Sequence, residues 1–148
     1  MEFVILTLML LFAPYAPAAE LRPYADYLVR ASHTHELLAE LFVTGRFEGL
    51  WGQRGVPMGV TAWTASHGRR PDAHEAVCAS LATIQSAESN CGAGPRHLAR
   101  RLGYYLTGRC EATPEAMRRA RSVRQTVRVL RAFPINPERE VLTCPAGE

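Results

Sequence analysis

The segment TPEAMRRARSVRQTVRVLRAFP, residues 113–134, decides the fold class because it reads as one amphipathic helix with defined ends. Thr113 is a favourable N-cap, and Pro114 suits the first turn, where backbone N–H groups have no intrahelical partner. Apolar side chains recur at helical spacing as far as Phe133, and Pro134 prevents the helix from continuing. The apolar positions are Val123, Val127, Leu130 and Phe133. The segment therefore predicts a helix that packs one side into a helical core.

A row of arginines lies beside that apolar side. At 100° per residue, Arg121, Arg124, Arg128 and Arg131 occupy an arc only about 80° wide. Two interpretations stay open for this row. An amphipathic helix must expose polar side chains, and all 17 basic residues of this chain are arginine, so the row is either a solvated face or a binding surface. As a binding surface it fits an acidic protein partner, because arginine makes planar bidentate contacts with carboxylates.

Three further stretches show helical periodicity. They cover about residues 23–43, with Gly45 as a stop, then 71–90 and 95–108. The connection at residues 44–70 is rich in glycine and holds both tryptophans, so it predicts either a short hairpin or an ordered aromatic loop. We expect an all-α fold, a four-helix bundle with this long loop between its first two helices.

The first eighteen residues are typical of a secretory signal peptide. An apolar run reaches Ala13, and the small-x-small sequence Ala16-Pro17-Ala18 precedes polar sequence at Glu20. The apolar run is too short to span a membrane, which takes about 20 residues. We expect residues 1–18 to be removed and residues 19–148 to form a single helical domain that is secreted, or periplasmic in a bacterium.

Four cysteines lie in the expected mature chain, an even number that favours two disulfides in an oxidising compartment. If residues 78–91 and 91–110 each follow a straight helix, their end cysteines are separated by about 20 and 28 Å at 1.5 Å per residue. Disulfides need Cα atoms within about 7 Å. Antiparallel helix packing then predicts the pairs Cys78–Cys110 and Cys91–Cys144.

No motif for catalysis or cofactor binding stands out. His35-Glu36 begins like a zinc-protease helix, but Ala39 stands where the second histidine is required. Ser66-His67 places a nucleophile beside a base, although adjacency in sequence is not catalytic geometry. We therefore predict no enzyme activity, no catalytic residue, no metal and no cofactor.

Composition and charge narrow the function classes. The chain is 47% apolar and 21% charged, which excludes a disordered chain. From residue 96 onward there are 11 arginines and 5 acids, whereas residues 19–95 hold 6 arginines and 8 acids. Export and the lack of a known nucleic-acid module argue against binding to nucleic acid. Membrane association is expected only through a partner.

In outline, the region from Tyr24 to Cys144 resembles the short-chain four-helix cytokines. The shared features are a signal peptide, four helices, two disulfides, a long connection after the first helix and a late cysteine. The resemblance is architectural and implies a cytokine-like ligand or an inhibitor that acts by protein–protein binding, with no receptor-binding residue transferable. The alternatives are a soluble accessory subunit of a membrane or viral envelope glycoprotein complex, a bacterial periplasmic immunity or inhibitor protein and, third, a small secreted enzyme.

Overall fold

The computed structural model describes residues 1–145 of the chain. This part contains seven α-helices and two single-turn 3₁₀ helices. No strand occurs in this range, so the predicted all-α class is confirmed. The helices are α1 (Glu2–Phe12), α2 (Ala18–Ala31), α3 (His35–Phe47), α4 (Thr61–His67), α5 (Ala73–Cys91), α6 (Leu98–Thr107) and α7 (Pro114–Leu130), with 3₁₀ turns at Pro57–Gly59 and Pro95–His97.

The predicted first helix, residues 23–43, is two helices. Ser32 ends α2, and its hydroxyl donates to the carbonyl oxygen of Leu28 at 2.7 Å. Thr34 then caps α3 by accepting a hydrogen bond from the backbone N–H of Leu37 at 3.1 Å. Serine and threonine offer the backbone these local partners at the expense of a continuous helix. The simple four-helix bundle is accordingly not confirmed.

The connection after α3 contains no hairpin, and the predicted loop is interrupted by the 3₁₀ turn and by α4. Residues 49–52 all have positive φ, which turns the chain sharply and drives the Trp51 side chain into the core, where it is fully buried. Gly45 makes room for it, since a Cβ at Gly45 would lie 2.2 Å from Trp51 Nε1. Trp63 is carried by α4, a helix that the sequence did not predict.

The core centres on α3. Every residue from Leu38 to Gly45 is buried, because α3 packs against α7 on one side and contacts α1, α2 and α5 on others. Helices α5 and α6 pack together, as do α6 and α7. Helix α7 therefore lies between α3 and α6, with Val123, Val127 and Leu130 buried and Arg121, Arg124 and Arg128 exposed.

All four cysteines form disulfides, but the predicted pairing is wrong. The pairs are Cys78–Cys144 and Cys91–Cys110, with Cα–Cα distances of 5.5 and 5.4 Å. The prediction treated the span between residues 91 and 110 as one straight helix. In fact α6 has only ten residues, and Gly108 reverses the chain at its end in the left-handed conformation.

The pairing of Cys144 depends on the chain that follows α7. Residues 139–143 run back along α2, where the Leu142 N–H donates to the Arg30 carbonyl at 3.1 Å. His74 of α5 then lies 2.8 Å from the Thr143 carbonyl oxygen. This path delivers Cys144 to the start of α5, beside Cys78, and away from Cys91.

Helix α1 contains most of the predicted signal peptide. It packs mainly on α2 and buries Ile5 and Met9 completely, while Phe3 and Leu11 remain exposed on its outer side. None of the helices within residues 1–145 is long and apolar enough to cross a membrane. Cleavage after Ala18 stays a prediction.

Candidate functional site

The four arginines predicted as a row are all exposed on or just after α7, but they do not share one site. Arg124, Arg128 and Arg131 line a cleft of about 560 Å³. Arg121 lies outside it and, with Arg124, lines a second depression of about 510 Å³ beside α6. Arg124 therefore lines both the cleft and the second depression. We call Arg121, Arg124 and Arg128 the arginine row.

Four helices contribute to the larger cleft, whose lining is mostly apolar but also includes Glu40 and Arg101. Residues of α3, which packs directly on α7, and of α5, α6 and α7 line it. The apolar side chains that line it are Leu37, Leu81, Ile84, Leu98, Val123 and Val127. A cleft of this size with an apolar lining and a few charged groups has the character of a binding site.

The arginines at the rim differ in their partners. Arg131 donates from Nη2 to Glu36 Oε1 at 2.9 Å, and this hydrogen bond is the main reason that the pKa of Glu36 lies below its ordinary value. Within residues 1–145, Arg121, Arg124 and Arg128 have no carboxylate within ion-pair distance. The arginine row is therefore charge that the described fold leaves uncompensated.

A buried ion pair lies beneath this surface. Arg101 Nη2 and Nε each lie 3.4 Å from a carboxylate oxygen of Glu40, and the two side chains are 7% and 5% exposed. Arg101 Nη1 also donates to the carbonyl oxygens of Gly92 and Gly94 at 3.0 and 2.7 Å. Burial raises the pKa of Glu40 above its ordinary value, and the charge of Arg101 opposes that rise. The pair fixes α6 and the turn before it against α3.

Sequence reasoning missed this pair. Glu40 is not among the predicted site residues and is buried, whereas Glu36, one helical turn earlier, is exposed. A signal existed, because Glu40 lies within the apolar run Leu38 to Val43, where an ionised side chain needs a partner. Nothing in the sequence identified Arg101, 61 residues later, as that partner.

Two other arginines of α7 serve the fold. Arg119 is 7% exposed and pairs with Glu48 at 2.8 Å and with Glu115 at 3.2 Å. Arg118 also pairs with Glu115. These contacts join α7 to the segment after α3, so positive charge around the first turn of α7 does not extend the arginine row.

Of the residues considered for catalysis or metal binding, Ser66 and His67 lie within hydrogen-bond distance of each other, but His67 and His35 also contact backbone carbonyl groups. His67 Nδ1 lies 2.9 Å from both the Ser66 hydroxyl and the Trp63 carbonyl oxygen, and its ring stacks on Trp63 at 3.8 Å. His35 Nε2 lies 2.7 Å from the Phe133 carbonyl oxygen. Within residues 1–145, no three His, Cys, Asp or Glu side chains come together as a metal site.

No protein-family model, curated protein or solved structure matches this chain. The cleft and the arginine row are consequently interpreted from their own chemistry.

Proposed function

We propose that this chain is a secreted, disulfide-stabilised helical protein, a cytokine-like ligand or an inhibitor, that binds an acidic surface of a partner protein through its arginine row. One observation carries the proposal: Arg121, Arg124 and Arg128 are exposed neighbours on α7 without a carboxylate partner in residues 1–145, and Arg124 and Arg128 line a mostly apolar cleft.

Several arginines outside the arginine row form ion pairs that stabilise the fold. Arg101 and Arg119 are buried in ion pairs that join helices, and Arg30 pairs with Asp26 and Glu140 at 3.3 and 3.4 Å. Arginine is enriched at protein interfaces, and binding energy concentrates where charged groups flank apolar pockets that exclude water. The arginine row has this arrangement, whereas a purely solvated face needs no cleft beside it.

Export supports the same interpretation. The apolar N-terminal run with its small-x-small sequence is typical of a secretory signal, and disulfides persist in oxidising compartments. A small extracellular helical protein of this kind would act by binding a partner protein.

Charge reversal tests the proposal. Tagged wild-type protein, the variant Arg124→Glu/Arg128→Glu and the control Arg22→Glu/Arg54→Glu are used to capture binding partners from the native source at equal concentration. The control reverses two exposed arginines on α2 and on the segment after α3. We expect the α7 variant to lose a partner that the wild type and the control retain. Equal capture by all three proteins would show that the arginine row is only a solvated face.

A further inference from the structure

We propose that the cleft between α7 and α3/α5 receives an amphipathic helix of the partner, with carboxylates along the edge that faces α7. This inference rests on the proposed function and specifies the chemistry of the segment that binds. It depends on three features of the cleft: its mostly apolar lining, the spacing of its basic rim and the different charge of its opposite rim.

The mostly apolar lining of the cleft, of which Leu37 and Leu81 are the more exposed apolar members, favours an apolar occupant. Ile84, Leu98, Val123 and Val127 are buried side chains that nevertheless line the open cleft, and Leu37 and Leu81 are only half-buried. An occupant with only acidic side chains would leave the apolar lining of the cleft in contact with water. An amphipathic helix presents apolar anchors at positions i, i+3, i+4 and i+7 to such a groove, which is a recurrent mode of peptide recognition.

The basic rim sets where the carboxylates lie. Arg124 and Arg128 are four residues apart on α7, hence about 6 Å apart along the helix axis at 1.5 Å per residue. Carboxylates at positions i and i+4 of a partner helix have the same rise when the two helices run side by side. Arg131, which already pairs with Glu36, is not counted among the free donors.

The opposite rim excludes a uniformly acidic helix. There α5 contributes the exposed Glu88, which has no ion-pair partner within residues 1–145, together with the neutral Gln85. Carboxylates on that edge of the partner helix would face Glu88 and be repelled. The helix is therefore acidic on the edge toward α7 and neutral or basic on the edge toward α5, an arrangement that selects by repulsion as well as attraction.

The test uses three labelled synthetic helical peptides and fluorescence anisotropy. The first peptide carries an apolar stripe, glutamates at i and i+4 on one edge and lysines on the other. The second has glutamate on both edges, and the third is a scrambled version of the first with the same composition. We expect the first to bind at least about tenfold more tightly than the other two, because only it places charges and apolar anchors correctly.

Protein variants locate the peptide in the cleft. Arg124→Glu/Arg128→Glu should weaken the first peptide about tenfold or more, whereas Arg22→Glu/Arg54→Glu should not change its affinity. Leu81→Gln changes the apolar lining, and Gln85→Trp blocks the mouth from an exposed position at little risk to folding. Both should weaken the first peptide. Glu88→Gln should improve the second peptide and leave the first unchanged or weaker.

Defined results would overturn the inference. Equal binding of the scrambled peptide, or no effect of the lining and mouth variants, would exclude a helix seated in the cleft. A long-chain carboxylate such as dodecanoate is added as a competitor for the cleft. If it displaces the first peptide at a concentration far below the dissociation constant of that peptide, the cleft is instead a site for a small amphiphile. If partner capture depends on Arg124 and Arg128 but the peptides do not bind, this inference fails while the proposed function stands. If capture does not depend on them, the proposed function fails.

Discussion

Removing Arg101 should expose how much the fold depends on its buried ion pair. Arg101→Met keeps the length of the apolar stem and leaves Glu40, 5% exposed, without its cation. Breaking a buried pair on one side costs about 3–5 kcal/mol, because an uncompensated charge remains in a poorly solvated place. The carbonyl oxygens of Gly92 and Gly94 lose their donor as well.

The double variant Glu40→Met/Arg101→Met separates the charge from the packing. With both charges gone, no buried ion remains, and apolar replacement of a buried pair is often close to neutral. The Gly92 and Gly94 carbonyl groups also lose their donor, but Gly92 is half-buried and Gly94 is exposed, so water limits this cost to about 1–2 kcal/mol together. We therefore expect the double variant to be more stable than Arg101→Met by about 2 kcal/mol or more.

The pH dependence has a defined sign. Burial already places the folded-state pKa of Glu40 above its ordinary value, and loss of Arg101 removes the attraction that opposes this rise. Folding then favours the protonated carboxyl, so the stability of Arg101→Met decreases as pH rises through that pKa. The loss of stability of Arg101→Met relative to the wild type should therefore be largest near neutral pH and smaller toward pH 5.

Urea unfolding followed by circular dichroism, at pH 7.5 and pH 5, measures these differences. For a chain of this size, each kcal/mol corresponds to about 2–4 °C in Tm. If Arg101→Met lowers the free energy of unfolding by less than about 1 kcal/mol, the reasoning is wrong. It is also wrong if the loss in the double variant equals the sum of the losses in the two single variants.

Three further predictions concern the fold. Non-reducing peptide mapping should find Cys78 linked to Cys144, and a linked peptide pair containing Cys78 and Cys110 would contradict the fold. Because this disulfide closes a separation of 66 residues, its removal should lower the free energy of unfolding in urea by about 4 kcal/mol. Gly103→Ala, which in an open helix would stabilise by about 0.5–1 kcal/mol, should instead destabilise, because its Cβ would lie 1.6 Å from the Glu111 carbonyl oxygen. Absorbance titration should show one tyrosine with a pKa of about 12, because burial of its hydroxyl raises the pKa of the half-buried Tyr105. Its contribution to stability is present below about pH 10 and is lost as pH rises to about 12, and normal titration of every tyrosine would contradict the burial of this hydroxyl.

Helix ends were predictable where local chemistry sets them. Asp72 forms a capping box at the start of α5, Gly108 ends α6 in the left-handed conformation, and Thr113 caps α7. Each is a contact within a few residues, so the sequence contains the information.

Features set by distant contacts were not predictable. The path of residues 131–145 has no helical period, and it is fixed by hydrogen bonds to α2 such as that from Leu142 to Arg30. That path decides the disulfide pairing. For the same reason the arginine row followed from helical geometry, whereas the cleft beside it, which four separate helices build, did not.

Site-specific photocrosslinking tests the central claim most directly. A photoreactive residue is placed at Gln125, exposed among the arginines of α7, and in a separate protein at Arg22 on α2. Each protein is irradiated in its native source, and the linked peptides are identified by mass spectrometry. We expect position 125, and not position 22, to capture an acidic segment with apolar residues at helical spacing. Capture only from position 22, or capture of segments without acidic residues from position 125, would contradict the account.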